Sequence, residues 1–350
     1  MQLPILIIGQ GLAGTLLSFE LYQQRVPFLV LDDGFTTSAS VVASGVMNPV
    51  TGRQAHVTWE VDLFFAKALE TYQALESFLG VALVKKTPII SCPNNPEMRL
   101  AYDKQLTDGS KYIHAVEEPF TYLHQPFGKV AIQPSYLINV HSLLYSWRQF
   151  LQQQHLLQTA VFNEELLEFH EDKLQYQGQN FGRVIYANGA AAATSSYWQN
   201  LPFALNKGEA LLLDIPALAK DYLYKSGIFS VVPWQNQQWW VGSSYDNHFT
   251  TPLPTQAFAK QKLSQLANFI TLPATQTAHV AAIRPSTVDR KPMIGFHPKW
   301  NLLGLFNGLG TKGVSMAPAL ATSFVQNILH GTPLKVPNAQ LERFHKILNR

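Results

Sequence analysis

The sequence predicts an α/β fold with a Rossmann-like nucleotide-binding domain, on three features near its start. An apolar run at residues 3–8 leads directly into Gly9-Gln10-Gly11-Leu12-Ala13-Gly14. A helical pattern follows over residues 12–24, with Ala13, Leu16, Leu17 and Leu21 at the helix period. A second apolar run, residues 27–31, ends at Asp32-Asp33. In such a βαβ unit Gly9 allows the tight turn, Gly11 lets backbone approach a pyrophosphate, and Gly14 lets helix meet strand. The helix N-terminus turns free N–H groups and its positive dipole end toward the phosphates. Asp32 stands 18 residues after Gly14, close to the roughly 20 at which a carboxylate binds an adenosine ribose.

The alternation continues along the chain. Residues 36–53 are loop-like, rich in Ser, Ala and Gly, and residues 57–80 read as a helix ending at Gly80. Residues 87–124, broken by prolines, read as strands with loops, and residues 134–157 as another long helix. A hairpin is expected over 166–181 with its turn at 170–173 (HEDK), then a strand at 183–187 and turn residues Asn188-Gly189. Residues 205–215, 238–243 and 301–306 read as strands, and 255–270 and 314–331 as helices. No internal repeat or low-complexity segment interrupts the pattern.

At 350 residues, 47% hydrophobic and 14% charged, the chain suits a well-packed enzyme rather than a disordered or solvating one. Net charge is +3 without a Lys/Arg-rich run, which argues against nucleic-acid binding. Cys92 is the only cysteine, so neither an intrachain disulfide nor a cysteine metal cage forms. The histidines show no i, i+4 pairing with a carboxylate, and no metal is expected. The N-terminal apolar run is a strand without a basic lead, and no run has the length of a membrane span. A cytoplasmic protein is the expectation.

A second strand–glycine turn–helix, residues 302–316 (LLGLFNGLGTKGVSM), stands near the other end. A nicotinamide enzyme needs only the first such turn. A flavin ring must also be clamped, and a late helix N-terminus serves its N1/O2 edge, where negative charge develops on reduction. Both turns together favour a flavin.

The ordered motifs then resemble a family. They are ILIIGQGLAG, LVLDD, ASGVMNP (43–49), VIYANGA (184–190), KGEALLL (207–213), VGSSYD (241–246), AAIRPSTVDRKPMIG (281–295) and NGLGTKGVSMAPALA (307–321). In that order they resemble the D-amino-acid oxidase/glycine oxidase superfamily of FAD enzymes. In motif wording they are most similar to the FAD-dependent half of bacterial proteins that modify a tRNA wobble uridine. The chain departs from the latter in carrying no fused methyltransferase half and in its 45–53 loop.

The resemblance implies a discontinuous FAD-binding domain, residues 1–50, 135–205 and 275–350. It implies a substrate domain, residues 51–134 and 206–274, on a mixed or antiparallel sheet. Pyrophosphate would lie along Gly11, Leu12, Ala13 and Gly14, with adenosine at Asp32 and Asp33 and the Leu166 backbone on the adenine side. Ser44, Gly45, Val46 and Met47 would follow the ribityl chain and ring. Asn188, Gly189, Gly308, Gly310, Thr311, Lys312 and Gly313 complete the expected cofactor residues. Some relatives attach flavin through a cysteine near the C-terminus; Cys92 is not there, so non-covalent FAD is expected. Arg284, before Pro285, Asp289, Pro292 and Gly295, would bind a substrate carboxylate with its planar fork; its structural alternative is an ion pair with Asp289. Lys312 would stabilise reduced flavin or a developing superoxide, while Tyr245 and Asn48 would reach the substrate side. Trp234, Trp239, Trp240 and Arg53 are weaker candidates.

The implied reaction is oxidation of the C–N bond of a small carboxylated amine by hydride transfer to flavin N5. The imine is hydrolysed afterwards, and O2 or another acceptor takes the electrons. Two alternatives stay open: FAD-dependent removal of a carboxymethyl group from a modified tRNA wobble uridine, and a non-catalytic flavin-binding module.

Overall fold

The computed structural model describes residues 3–34, 38–227 and 229–349. Part of the expected 36–53 loop, residues 36–37, lies outside them.

The expected βαβ start forms, and the α/β fold is built around it. Ile5–Ile8 is buried throughout and pairs in parallel with Phe28–Asp32 on one side and Arg183–Tyr186 on the other. Leu157–Thr159 and Leu303–Asn307 extend the sheet in parallel, and Met293–Phe296 closes it antiparallel, giving six strands. A strand covered on both faces is apolar throughout rather than alternating. Helix Leu12–Gln23 is apolar on nearly every side because it is wedged between this sheet and helix Gly313–His330.

An eight-stranded mixed sheet forms the second body, in the order Thr275–Arg284, Asn206–Asp214, Trp239–Gly242, Phe229–Pro233, Leu223–Ser226, Ile89–Cys92, Val130–Ile132, Ile113–His114. All its pairings are antiparallel except Leu223–Ser226 with Ile89–Cys92. Its faces separate by residue parity. Leu223, Val232 and Trp240 join the core shared with the first sheet, while Tyr224, Val231 and Trp239 pack with Phe258 and Leu266 of helix Gln256–Ala267.

Three expectations are corrected. Thr275–Arg284, placed in the cofactor domain, is the edge strand of the mixed sheet, paired along Asn206–Asp214. Hydrogen-bonding partners decide sheet membership, and periodicity does not specify them. Second, residues 87–124 contain a helix, Pro96–Thr107. Its Asn95 side chain accepts the Met98 N–H at 2.8 Å and Pro96 occupies the first turn, where a missing N–H costs nothing. Third, the long helix expected over 134–157 is strand Tyr136–Ile138, then helix Val140–Gln153 capped by Asn139, then strand Leu157–Thr159.

The hairpin turn at His170–Lys173 forms, with His170 N–H bonded to the Lys173 carbonyl at 3.0 Å, and Gln179–Phe181 adds a third strand. Gly80 and Gly331 end their helices in left-handed conformation, as glycine C-caps do. Among the described residues no helix is long and apolar enough to cross a membrane.

Candidate active site

The two glycine turns, almost three hundred residues apart in sequence, meet on one cleft. Gly9, Gly11, Leu12 and Ala13 line it from one side, and Gly310, Thr311 and Gly313 from the other. A Cβ on Gly313 would stand 3.4 Å from Leu12 Cδ2, so the two helix N-termini lie side by side. Asn307 ties the late turn to the middle of the sheet, its Nδ2 donating to the Gly189 carbonyl at 2.9 Å. The cleft holds about 960 Å³.

The early turn is built as the spacing requires. Gly9 adopts φ +97°, a conformation that costs glycine alone little, and a Cβ on Gly14 would overlap the Gly9 carbonyl oxygen. Asp32 is buried, and its carboxylate accepts the Gln10 N–H at 2.7 Å, the Gly34 N–H at 2.9 Å and the Arg148 guanidinium at 2.6 Å. Arg148 also donates to Gln10 Oε1 at 3.0 Å. Nothing in the sequence marks Arg148, a lone arginine within a helix; only packing of Val140–Gln153 beside the first strand's end brings it to Asp32.

Further along, Asp33, Asn188 and Gly189 line the cleft. Asn188 Oδ1 is buried there without a hydrogen-bond partner among the described residues, an acceptor left for a ligand donor. Leu166 is 45% exposed and outside the cleft lining, which here runs through Ala160, Val161, Phe162 and Glu164. The strand Leu157–Thr159, unrecognised in the sequence, carries the chain there. Glu164 is held by Ser195 and by Ser196, whose N–H donates at 2.9 Å.

Ser44 lines the cleft, but Gly45, Val46 and Met47 do not. Gly45 offers its carbonyl to Ile138 N–H at 2.9 Å, and Val46–Met47 pairs with Tyr136 and Leu137. Asn48 caps its own turn, Oδ1 accepting the Val50 N–H at 2.9 Å, and stands away from the wall. Tyr245 is 54% exposed and off the lining, and Arg53 is exposed. Gly308 lies behind the turn, where a Cβ would be 3.0 Å from Met293 N. Lys312 is the N-cap residue of helix Gly313–His330; burial pulls its pKa down, and its neighbours Thr311 and Gly313, not Lys312, line the cleft.

The tryptophans divide by sheet face. Trp240 lines the cleft and donates to the Val42 carbonyl at 3.0 Å, whereas Trp239 is fully buried on the far face and donates to Ile215 at 3.2 Å. Trp234 packs beside the shared core. Cys92 is buried on the same far face as Trp239, and burial pushes its thiol up to about 12. Among the described residues no group of His, Cys, Asp and Glu is arranged to hold a metal.

Arg284 stands on the wall at the end of the edge strand. Nη1 donates to Asn206 Oδ1 at 2.6 Å and to the Ser244 carbonyl at 3.1 Å, and Nη2 to Ser243 Oγ at 2.8 Å. Its guanidinium lies against Gly208, where any Cβ would collide with it. No carboxylate among the described residues pairs with it; Asp289, the alternative partner, bonds Arg343 at 3.1 Å. Burial lowers the Arg284 pKa, with Tyr245 opposing weakly. Arg284 Nε donates to nothing among the described residues, and a guanidinium edge that includes Nε can receive a carboxylate side-on.

A parallel sheet with a glycine-turn nucleotide site, a second glycine turn on the same cleft, and a mixed sheet roofing it define a flavin-dependent oxidoreductase. The residues fit the cofactor: a cradle where side chains would collide, two helix N-termini, and an orphaned Asn188 acceptor. The chain belongs to the DAO family of FAD dependent oxidoreductases, whose family model matches residues 4–326. Its fold is similar to glycine oxidase from Geobacillus kaustophilus, at TM-score 0.77 and 18% identity over 97% of this chain and 98% of that one. Iminodiacetate oxidase from Chelativorans sp. BNC1 gives 0.76 and 18% over 97% and 98%. L-Proline dehydrogenase from P. horikoshii gives 0.78 and 15% over 99% and 98%.

Proposed function

We propose that this enzyme oxidises the C–N bond of a small carboxylated amine, an amino acid or an N-substituted glycine. The observation that carries the reading is Arg284: a desolvated guanidinium on the cleft wall, fixed by three neutral acceptors, with its Nε unspent among the described residues. Burying a guanidinium without a carboxylate partner is costly, and a substrate carboxylate would offset that cost. Glycine oxidase and iminodiacetate oxidase, similar in fold, are named for substrates of this chemical class.

In this reading FAD, bound non-covalently, supplies the two-electron acceptor for the amine's α-C–H, and the imine is then hydrolysed by water. Gly9, Gly11, Leu12 and Ala13 hold the pyrophosphate, Asp32 the ribose, and the late turn the ring edge. Arg284 holds the carboxylate and thereby orients the α-carbon, and the roof carrying Trp240 and Gly208 excludes water. Orientation and charge are the protein's share of such chemistry. Lys312, beside the late turn, stabilises negative charge there.

The test is direct. The purified protein should be yellow, release all its flavin on acid precipitation, and bleach anaerobically with at least one of glycine, sarcosine, D-proline and D-alanine. A flavin spectrum indifferent to every carboxylated amine, or flavin left on the pellet, refutes the corresponding part. Bleaching only by tRNA bearing a carboxymethylaminomethyl uridine would replace the small amine by that substrate.

A further inference from the structure

Beside Arg284, on the opposite face of the same strand pair, lies a buried ion pair that the proposed chemistry does not use. Lys207 and Glu209 are 2% and 4% exposed, with Nζ 3.1 Å from Oε1. His279 Nε2 stands 3.1 Å from the other carboxylate oxygen. Strand alternation turns Gly208 to the Arg284 guanidinium and Lys207 and Glu209 to the other side of this edge, where Glu209 and His279 still reach the cleft's lining.

What both charged groups grip is one segment, residues 244–255. Glu209 accepts the Thr255 N–H at 2.6 Å and the Thr255 hydroxyl at 3.0 Å. Lys207 Nζ donates to the Leu253 carbonyl at 3.2 Å. Closer to the start of the segment, Lys207 and Asp246 exchange backbone bonds at 2.8 and 3.1 Å, and Asn206 Nδ2 donates to Asn247 Oδ1 at 3.1 Å. The Glu209 N–H meets Ser244 Oγ at 2.8 Å. The segment thus begins at the Ser244 carbonyl that holds Arg284 and ends at Pro252, Leu253 and Pro254, which are exposed and line the cleft.

A buried ion pair is a poor stabiliser, since desolvation offsets its attraction and apolar residues would hold the sheet as well. Apolar residues would not hold a strap by its backbone N–H and carbonyl. We propose that Lys207 and Glu209 are positioning residues that clamp residues 244–255, and so set both the Arg284 fork and the cleft's outer wall for substrate. This rests on the reading that Arg284 receives the substrate carboxylate.

The Lys207→Met/Glu209→Leu double variant removes both charges and both side-chain grips and leaves no unpaired charge. Thr255→Val loosens the clamp with both charges in place. The holoenzyme is measured for flavin content, for amide hydrogen exchange, and for kcat and KM with whichever amine of the panel bleaches the wild type. In the double variant flavin content should be retained and exchange across 244–255 should rise while Ile5–Ile8 stays protected. KM should rise about tenfold with kcat little changed, the equivalent of one ordinary hydrogen bond lost from substrate positioning. Thr255→Val should move exchange and KM the same way by less, and it carries the test should the double variant not fold. Wild-type exchange across 244–255, or faster exchange with KM unchanged, overturns the proposal alone. A wild type that no amine bleaches overturns the reading of Arg284 and this proposal with it.

Discussion

Replacing Arg284 by methionine keeps much of the side chain's apolar stem and removes the fork. A substrate carboxylate seated on the Nε/Nη2 edge would lose two charge-assisted bonds, each worth about 1.5–3 kcal/mol. The sum of about 3–6 kcal/mol corresponds to roughly a 10²- to 10⁴-fold fall in kcat/KM. Because the carboxylate is held in ground and transition states alike, most of the loss should appear in KM. Stability should change less, since the bonds lost within the protein go to the neutral acceptors Asn206, Ser243 and Ser244, at about 1 kcal/mol each. Arg284→Lys keeps the charge without the planar fork and should fall between wild type and methionine. The assay is anaerobic stopped-flow bleaching against amine concentration, with flavin content measured on the same sample. A flavin-loaded Met variant that is reduced with wild-type concentration dependence would remove Arg284 from the substrate site.

The same geometry sets further expectations. Gly14→Val drives a side chain into the Gly9 carbonyl and should yield protein that no longer retains flavin through gel filtration; a yellow variant contradicts the close-packing argument. Lys312→Met should leave anaerobic reduction by amine intact and slow reoxidation by oxygen, and unchanged reoxidation would return Lys312 to a structural role. His297 is buried, its Nδ1 accepts the Lys299 and Trp300 N–H groups at 3.1 and 3.2 Å, and burial lowers its pKa to about 4. The native state therefore binds fewer protons than the unfolded chain, so stability on the order of 3 kcal/mol is present above the unfolded pKa of about 6.5 and drains as pH falls toward 4. His297→Asn should flatten that part of the melting-temperature profile, and an unaltered acid slope would speak against it. Glu20 is buried, accepts the Thr322 hydroxyl at 2.6 Å, and has its pKa raised by burial. Its contribution is favourable below the unfolded carboxyl pKa and is lost as pH rises through the raised one. Glu20→Gln should thus raise the neutral-pH melting temperature by on the order of 2 °C, with the gain vanishing in acid.

Local sequence determined the early glycine turn, because everything it needs lies within one βαβ unit: a positive-φ glycine and a glycine without room for Cβ. It also determined the late glycine turn and the glycine helix ends, which depend on backbone conformation that few other residues adopt. Motif order at Arg284-Pro285 singled out this arginine, though not its surroundings.

Tertiary structure decided the rest. Only the fold could reject Asp289 as the partner of Arg284 in favour of Arg343, or bring Arg148 to Asp32 across 116 residues. It assigned Thr275–Arg284 to the mixed sheet, exchanged Leu166 for the 160–164 segment on the cleft wall, and set Gly45, Val46, Met47 and Asn48 to holding strands and turns. The physical reason is common to all of these. A strand's partner, a helix's neighbour and a charge's counter-ion are chosen by global packing among distant segments, and a chain read in order carries no local mark of that choice.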